Sequence, residues 1–183
     1  MKFCTQCASP LEHKIPDGDS LARYVCPACQ HIHYQNPRVI TGCIPEWEDR
    51  VLMCKRAIEP RYGRWTLPAG FLELGETSAE GGARETLEEA CARVETRGLF
   101  SVINVTYIGQ IYMFYRAQLL DLDFAAGAES LEVELMREDE IPWDELAFPT
   151  VSLTLQDFFS DRRSGQFELH THDLKTALWS RKG

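Results

Sequence analysis

Residues 84–92 read Arg-Glu-Thr-Leu-Glu-Glu-Ala-Cys-Ala. A helix of about 3.6 residues per turn brings Glu85, Glu88 and Glu89 onto one face, at i, i+3 and i+4. Like charges at that spacing destabilise a bare helix by about a few tenths of a kcal/mol per pair, so a divalent cation is a natural counter-charge. Carboxylate oxygens suit hard ions such as Mg²⁺ or Mn²⁺, and those ions also bind phosphate oxygens. The triad alone also reads as a solvated acidic face with Arg84 pairing to its neighbours.

Cys4, Cys7, Cys26 and Cys29 form a second constellation, C-x2-C, then 18 residues, then C-x2-C. Two such knuckles can set four thiolates round a tetrahedral Zn²⁺. The surrounding residues 1–35 have few large aliphatic side chains, so in this module the metal would supply the folding free energy. His13, His31 and His33 flank the knuckles, but four well-spaced thiols make them unnecessary as ligands. Cys43 and Cys54 fall inside apolar runs and read as small buried groups.

Both constellations need elements to hold them. Gln35-Asn36-Pro37-Arg38 punctuates the chain, which divides the expected domains into 1–35 and 36–183. Val39 to Pro45 and Val51 to Arg56 read as strands joined by a polar turn, and a Pro- and Gly-rich loop spans Pro60 to Gly75. Thr77-Ser78-Ala79-Glu80 is a capping box opening a helix to about Ala92. Gly81 and Gly82 each weaken that helix by roughly 1 kcal/mol relative to Ala, so packing or function must offset them. Ala79, Ala83, Leu87 and Ala90 are expected to form its close-packed side. Further strands are expected over Val94 to Ile103, Thr106 to Leu119 and Ser130 to Met136. Pro142-Trp143 opens a short turn, and Thr150 to Phe159 reads as a helix with Val151, Leu155, Phe158 and Phe159 on one face. His170 and His172 are expected on a surface strand.

Composition excludes several function classes. The 183 residues are 44% apolar and 26% charged, which argues against disorder and rod-like repeats. No run approaches about 18 apolar residues, so no spanning helix is expected. The opening Met1-Lys2-Phe3-Cys4 lacks a secretory pattern, so a cytoplasmic, membrane-free protein is expected. A net charge of −9 argues against general nucleic-acid binding. Phosphates would be met locally, by a metal or by Arg56, Arg61 and Arg64. Trp65, Tyr107, Tyr112 and Phe148 could stack on a heteroaromatic ring or serve as ordinary packing.

Gly70, five residues, Glu76, seven residues, then Arg84-Glu85-Thr86-Leu87-Glu88-Glu89-Ala90-Cys91-Ala92 resembles the Nudix box, G-x5-E-x7-R-E-U-x-E-E-x-G-U with U aliphatic. All charged positions match, while Thr86, Cys91 and Ala92 depart from it; Cys91 reads as a helix-end residue standing in for Gly. The resemblance implies an α/β fold, the Nudix α/β/α sandwich with a mixed sheet, here preceded by a small zinc ribbon. It implies hydrolysis of a nucleoside diphosphate linked to another moiety, releasing AMP when the nucleoside is adenosine. By the same resemblance Glu85, Glu88 and Glu89 hold Mg²⁺ or Mn²⁺ with the Gly70 carbonyl, and Glu76 and Arg84 form a supporting pair. The general base is Glu89 or a carboxylate outside the box, with Glu132 corresponding best and Glu129 next.

The arrangement is similar to zinc-ribbon Nudix enzymes, among them NADH pyrophosphatases, whose S-Q-P-W-P-F-P-x-S stretch is replaced here by Ser101 to Gln110. The chain more closely resembles plant-type FAD and ADP-ribose pyrophosphatases. The shared residues are Ile15-Pro16-Asp17-Gly18, Tyr34-Gln35-Asn36-Pro37, Trp65-Thr66-Leu67-Pro68-Ala69-Gly70, Ile108-Gly109-Gln110 and Glu129-Ser130-Leu131-Glu132. The implied substrates are FAD or ADP-ribose, contacted by Arg56, Arg64, Trp65 and Glu129, and the resemblance also implies a homodimer. The alternatives are an NADH or NAD-capped RNA pyrophosphatase, and a non-catalytic nucleotide sensor whose ribbon binds a partner.

Overall fold

The structure is a computed structural model and describes residues 1–176. The chain forms two compact units, Met1–Pro37 and Arg38 onward.

In the first unit β1 (Glu12–Lys14), β2 (Arg23–Val25) and β3 (Ile32–His33) make a small antiparallel sheet. Each C-x2-C knuckle turns the same way: the amide of Ala8 donates to Cys4 O and that of Gln30 to Cys26 O, both at 2.9 Å. Ala8 and Gln30 stand in the left-handed region, with φ of 59° and 62°, immediately after the second cysteine of their knuckles. Matched turns aim the four thiols toward one another, with Cys4 and Cys26 buried and Cys7 and Cys29 exposed.

The second unit contains β4 (Arg38–Trp47), β5 (Arg50–Arg56), β6 (Trp65–Thr66), β7 (Ala69–Phe71) and α1 (Ser78–Ala90). These are followed by β8 (Val94–Val105), β9 (Gln110–Leu119), β10 (Ser130–Met136), α2 (Pro149–Ser164) and β11 (His170–Leu174). The sheet order is β10-β5-β4-β9-β8-β11, with β6 on β5 and β7 on β4. β4–β9 and β11–β8 are parallel and the other pairs antiparallel, which makes the sheet mixed. The run expected as one strand from Thr106 is broken by a short 3-10 turn, Thr106–Ile108, because β8 and β9 form a hairpin pairing Val105 with Gln110. Gly109, at φ 62°, supplies the left-handed residue that closes it.

Alternation along β5 shows how the layers stack. Val51 and Met53 enter one core with Phe100, Phe114, Leu155 and Phe158, whereas Leu52 and Cys54 enter another with Ala90, Ala92 and Leu119. Successive strand residues point to opposite faces, so α2 covers one face and α1 the other. The predicted stripe of α2 is buried throughout, at 1% exposure or less for Val151, Leu155 and Phe158 and 2% for Phe159. Each such side chain contributes about 1.5–3 kcal/mol of burial.

α1 begins with the capping box: the amide of Glu80 donates to Thr77 Oγ1 at 3.2 Å, and that of Thr77 to Glu80 Oε2 at 2.8 Å. Its packing face differs from the small-residue side expected from sequence. Leu87 is 50% exposed and Ala83 half-buried, while Gly81, Gly82, Glu85, Thr86, Glu89 and Ala90 are buried. The two glycines explain the rotation. A Cβ on Gly82 would lie 3.0 Å from the Gly42 carbonyl oxygen and 3.2 Å from Cys43 Sγ, and one on Gly81 would lie 2.8 Å from Thr41 Cγ2. Helix and β4 therefore approach at backbone distance, and the helix penalty of Gly81 and Gly82 is offset by that approach. Thr86, at an aliphatic position of the motif, is fully buried and satisfies its hydroxyl on Gly82 O at 2.8 Å.

Candidate active site

Seating α1 on β4 turns the carboxylate face of the helix toward β7. Gly70 on β7 meets it so closely that a Cβ there would lie 2.4 Å from the Glu85 carboxylate. A side chain at that position would have to displace the Glu85 carboxylate, and Gly70 lines the same cleft as the box carboxylates.

Arg84 organises the loop before the helix. Its Nε and Nη2 donate to the two oxygens of Glu76 at 3.0 and 2.8 Å, and Nη2 also donates to Phe71 O at 3.1 Å. Glu76 further accepts the Glu73 amide at 2.8 Å, and the Arg84 hydrogen bonds with that amide hold its carboxyl down at about 2. Those bonds raise Arg84 above its already high value, so the pair stays ionised across the working range. The remaining nitrogen, Nη1, reaches Glu85 at 2.8 Å and Glu88 at 3.1 Å.

Among the described residues Glu89 has no ion-pair partner. It is 7% exposed, and its one hydrogen bond among those residues comes from the Ala69 amide at 3.4 Å. Burial, then the charge of Glu85, pushes its carboxyl up to about 8, and burial likewise raises Glu85. Among the described residues the box carboxylates do not draw within 4.8 Å of one another as the four thiols do. Arg84 bridges Glu85 and Glu88, while Glu89 turns to Ala69. Donor type and local charge nonetheless fit a hard divalent cation: hard oxygen ligands, with Glu89 buried and in no ion pair among the described residues.

The carboxylates open on a cleft of about 870 Å³. Glu85, Glu88, Glu89 and Glu129 are among its lining residues, together with Ile40, Phe71, Ile108, Tyr112, Phe114 and Phe148. Arg56 lies on the wall, its guanidinium 5.1 Å from the Phe148 ring centroid and its Nε donating to Pro60 O at 2.9 Å. Burial raises the Tyr112 phenol, whose hydroxyl donates to Gln110 Oε1 at 3.2 Å.

Of the residues singled out from sequence, the structure brings Gly70, Arg56, Arg84, Glu85, Glu88, Glu89, Glu129, Tyr112 and Phe148 to this cleft. It places the others elsewhere. Trp65 is 5% exposed in the core, with Lys55 rather than a cleft above its ring. Arg64 is held outward by the Asp144 carbonyl at 3.0 Å, and Glu132 pairs with Lys55 at 3.2 Å on the β10 edge. Glu76 stands behind Arg84, outside the lining. Arg61 and Tyr107 also lie outside it. Sequence reasoning passed over Ile40, Ile58, Phe71, Ile108, Phe114 and Val151 as cleft lining. The alternation of Gln110, Tyr112 and Phe114 along β9 was the available signal, since period-two residues share a face.

In the first unit the Sγ atoms of Cys4, Cys7, Cys26 and Cys29 all lie within 4.8 Å of one another. The Cys4–Cys29 and Cys7–Cys26 separations are 3.7 and 3.5 Å, close to the about 3.8 Å edge of a tetrahedron with Zn–S bonds of about 2.3 Å. The thiols therefore fit a structural Zn²⁺. His33 Nε2 lies 3.4 Å from Cys4 Sγ, beside the thiol tetrad and outside it.

Family models agree with this division of chemistry. The model described as Nudix N-terminal matches residues 2–35, and the NUDIX domain model matches residues 36–153. A MutT-like protein of Streptomyces ambofaciens is 33% identical over 102 residues, covering 56% of this chain and 64% of that protein. An NAD-capped RNA hydrolase NudC of Chromobacterium violaceum is 35% identical over 95 residues, covering 51% of this chain and 34% of the relative. The chain thus spans less than two thirds of the length of these curated relatives. Among solved structures, a NUDIX hydrolase from Nitrosomonas europaea superposes with a TM-score of 0.92 at 56% identity, covering 94% of this chain and 98% of that one. An ADP-ribose pyrophosphatase from Streptococcus suis, TM-score 0.60 and 18% identical, covers 75% of this chain and 99% of that one and shares the fold. The matched domain models, together with an acidic helix seated against Gly70, show that the chain belongs to the Nudix hydrolase family.

Proposed function

We propose that the protein hydrolyses the pyrophosphate bond of a nucleoside diphosphate joined to a second moiety, FAD or ADP-ribose, giving AMP plus FMN or ribose 5-phosphate. One observation carries the reading: the same cleft is lined by the carboxylate residues Glu85, Glu88, Glu89 and Glu129, by Arg56, and by aromatic and aliphatic residues such as Phe71, Tyr112, Phe148 and Ile108. That combination suits a charged diphosphate attached to a planar ring. In this reading residues 1–35 are the zinc-holding module and 36–183 the hydrolase domain.

Glu85, Glu88 and Glu89, with the Gly70 carbonyl, would hold Mg²⁺ or Mn²⁺, which when bound neutralises charge on the pyrophosphate. The chain's own groups do the rest. Glu129 at the rim accepts a proton from the attacking water, Arg84 holds the helix carboxylates in register, and Arg56 offers its guanidinium to a phosphate. The water's oxygen joins one phosphorus, the bridging oxygen leaves with the other, and the proton returns to the departing phosphate. Tyr112 and Phe148 provide ring-stacking surface.

The NudC relative favours a second reading, in which NADH or an NAD-capped RNA end is the substrate. The net charge of −9 gives little grip on an RNA body, so in that reading the dinucleotide portion carries recognition. Chromatographic detection of AMP after incubation with Mg²⁺ and equimolar FAD, ADP-ribose, NADH and NAD⁺ tests both, with Glu89→Gln as control. AMP from FAD or ADP-ribose supports the first reading and AMP from NADH alone the second. No AMP from any of the four rejects both and leaves the sensor.

A further inference from the structure

The carbonyl end of α1 has a polypeptide strap across it. A helix leaves its last four carbonyls without intrahelical partners, and here two of them are satisfied from residues 125–127. The Ala125 amide donates to Ala90 O at 2.9 Å and the Gly127 amide to Glu89 O at 3.0 Å. The Ser130 amide then donates back to Gly127 O at 3.1 Å, closing a turn that carries Ala128 and Glu129 onto the cleft wall. Glu129 O in turn accepts the amide of Ala57 at 2.8 Å, the residue after Arg56.

Gly127 is the point of closest approach. A Cβ there would lie 1.9 Å from the Glu88 carbonyl oxygen, with the Glu88 carbon at 2.9 Å and the Glu89 carbon at 3.1 Å. Every atom it would meet belongs to the backbone of the helix that carries the box carboxylates. None can swing aside as a flexible side chain could, so any larger residue must push the strap off the helix or bend the helix end. The Gly127 φ lies outside the left-handed region, so close approach alone accounts for the glycine.

We propose that Gly127 is a positioning residue: by docking backbone to backbone on Glu88 and Glu89, it fixes the Glu129 carboxylate opposite the helix carboxylates. Through Ala57 the same strap fixes the end of the strand that carries Arg56. The catalytic part of this proposal rests on the hydrolase reading above.

The test is a double-mutant cycle on the full chain with Gly127→Ala and Glu129→Gln, read twice: as kcat for ADP-ribose with Mg²⁺, and as the dissociation constant for Mn²⁺ alone. A positioning residue acting through Glu129 gives non-additive losses. Each single variant should lower kcat by about tenfold or more, and the double variant should fall no further than the worse single, within about threefold. Losses that multiply in the double variant overturn the proposal, because a glycine that only stabilises the fold affects both backgrounds equally. Where Gly127→Ala does not fold, Ala125→Pro takes its place in the cycle; it deletes the strap's bond to Ala90 and leaves Gly127 itself unaltered. A wild-type protein that releases no AMP refutes the hydrolase reading, and the Mn²⁺ cycle then decides the positioning role alone. Weaker Mn²⁺ binding in Gly127→Ala supports it, because the strap docks on the backbone of Glu88 and Glu89; Mn²⁺ binding unchanged in Gly127→Ala overturns it.

Discussion

The buried Glu89 carboxyl makes the stability of the metal-free protein a function of pH. Burial, then Glu85, raises it from an ordinary 4.5 to about 8, so between those values the folded chain holds a proton that the unfolded chain has released. Stability therefore falls as pH rises through the window, and the full loss is present above its upper end. The slope for one group is at most about 1.4 kcal/mol per pH unit, which bounds the whole effect at roughly 5 kcal/mol. One kcal/mol moves the Tm of a chain this long by about 2–4 °C, so melts at about pH 5.5 and 7.5 should differ by several degrees. The assay is thermal unfolding in buffer free of Mg²⁺ and Mn²⁺ and without chelator, which leaves zinc in place. Glu89→Gln keeps the shape of the neutral acid and should remove most of the pH dependence, melting above wild type at the higher pH. Added Mg²⁺ or Mn²⁺ should flatten the wild-type curve, because a bound cation favours the ionised form. An unaltered pH dependence in Glu89→Gln would refute the assignment of the buried charge to this residue.

Three further outcomes follow from the packing. Cys91 ends α1 at φ 50°, where a side chain is strained, so Cys91→Gly should stabilise by roughly 0.5–1 kcal/mol in urea unfolding; a lower midpoint would contradict the strain argument. His33→Phe should loosen zinc by about 10–100-fold in competition with a chromogenic chelator, since His33 Nε2 faces Cys4 Sγ at 3.4 Å, and unchanged retention would leave His33 a packing role only. Gly82→Val should cost about 1–3 kcal/mol or more against β4, whereas Leu87→Ala, on the exposed face, should stay within about 0.5 kcal/mol. Equal losses in that pair would return the packing face to Leu87.

The carboxylate face of α1 was legible because a 3.6-residue period and a capping box are local properties, and both appear as read. The stripe of α2 was legible for the same reason. What escaped was tertiary. The face of α1 that packs is chosen by how closely β4 approaches, and residue size alone pointed to Leu87 instead of the glycines. Trp65 read as a ring available for stacking, yet β6 pairs with β5 and the ring packs into the core with Phe100, Phe114 and Leu155. The resemblance ranked Glu132 ahead of Glu129, but a register shift lies between Ser130 and Glu132, and the structure has Glu129 lining the cleft and Glu132 meeting Lys55. The thiol tetrad needed only its spacing, since the two knuckles are local turns.

The parallel pairing of β4 with β9 has a kinetic consequence. Arg38 aligns with Gln110, so the chain must close a loop of about 70 residues before that ladder forms, an entropy of roughly 4 kcal/mol that nothing local repays. α1 lies inside the loop, and its glycines find their seat only once β4 is in place. Until then its three carboxylates repel one another with no partner strand to hold them. Assembly of the reactive centre thus belongs to the late, non-local part of folding, and an early collapsed chain has the acidic helix without the wall that gives it chemistry.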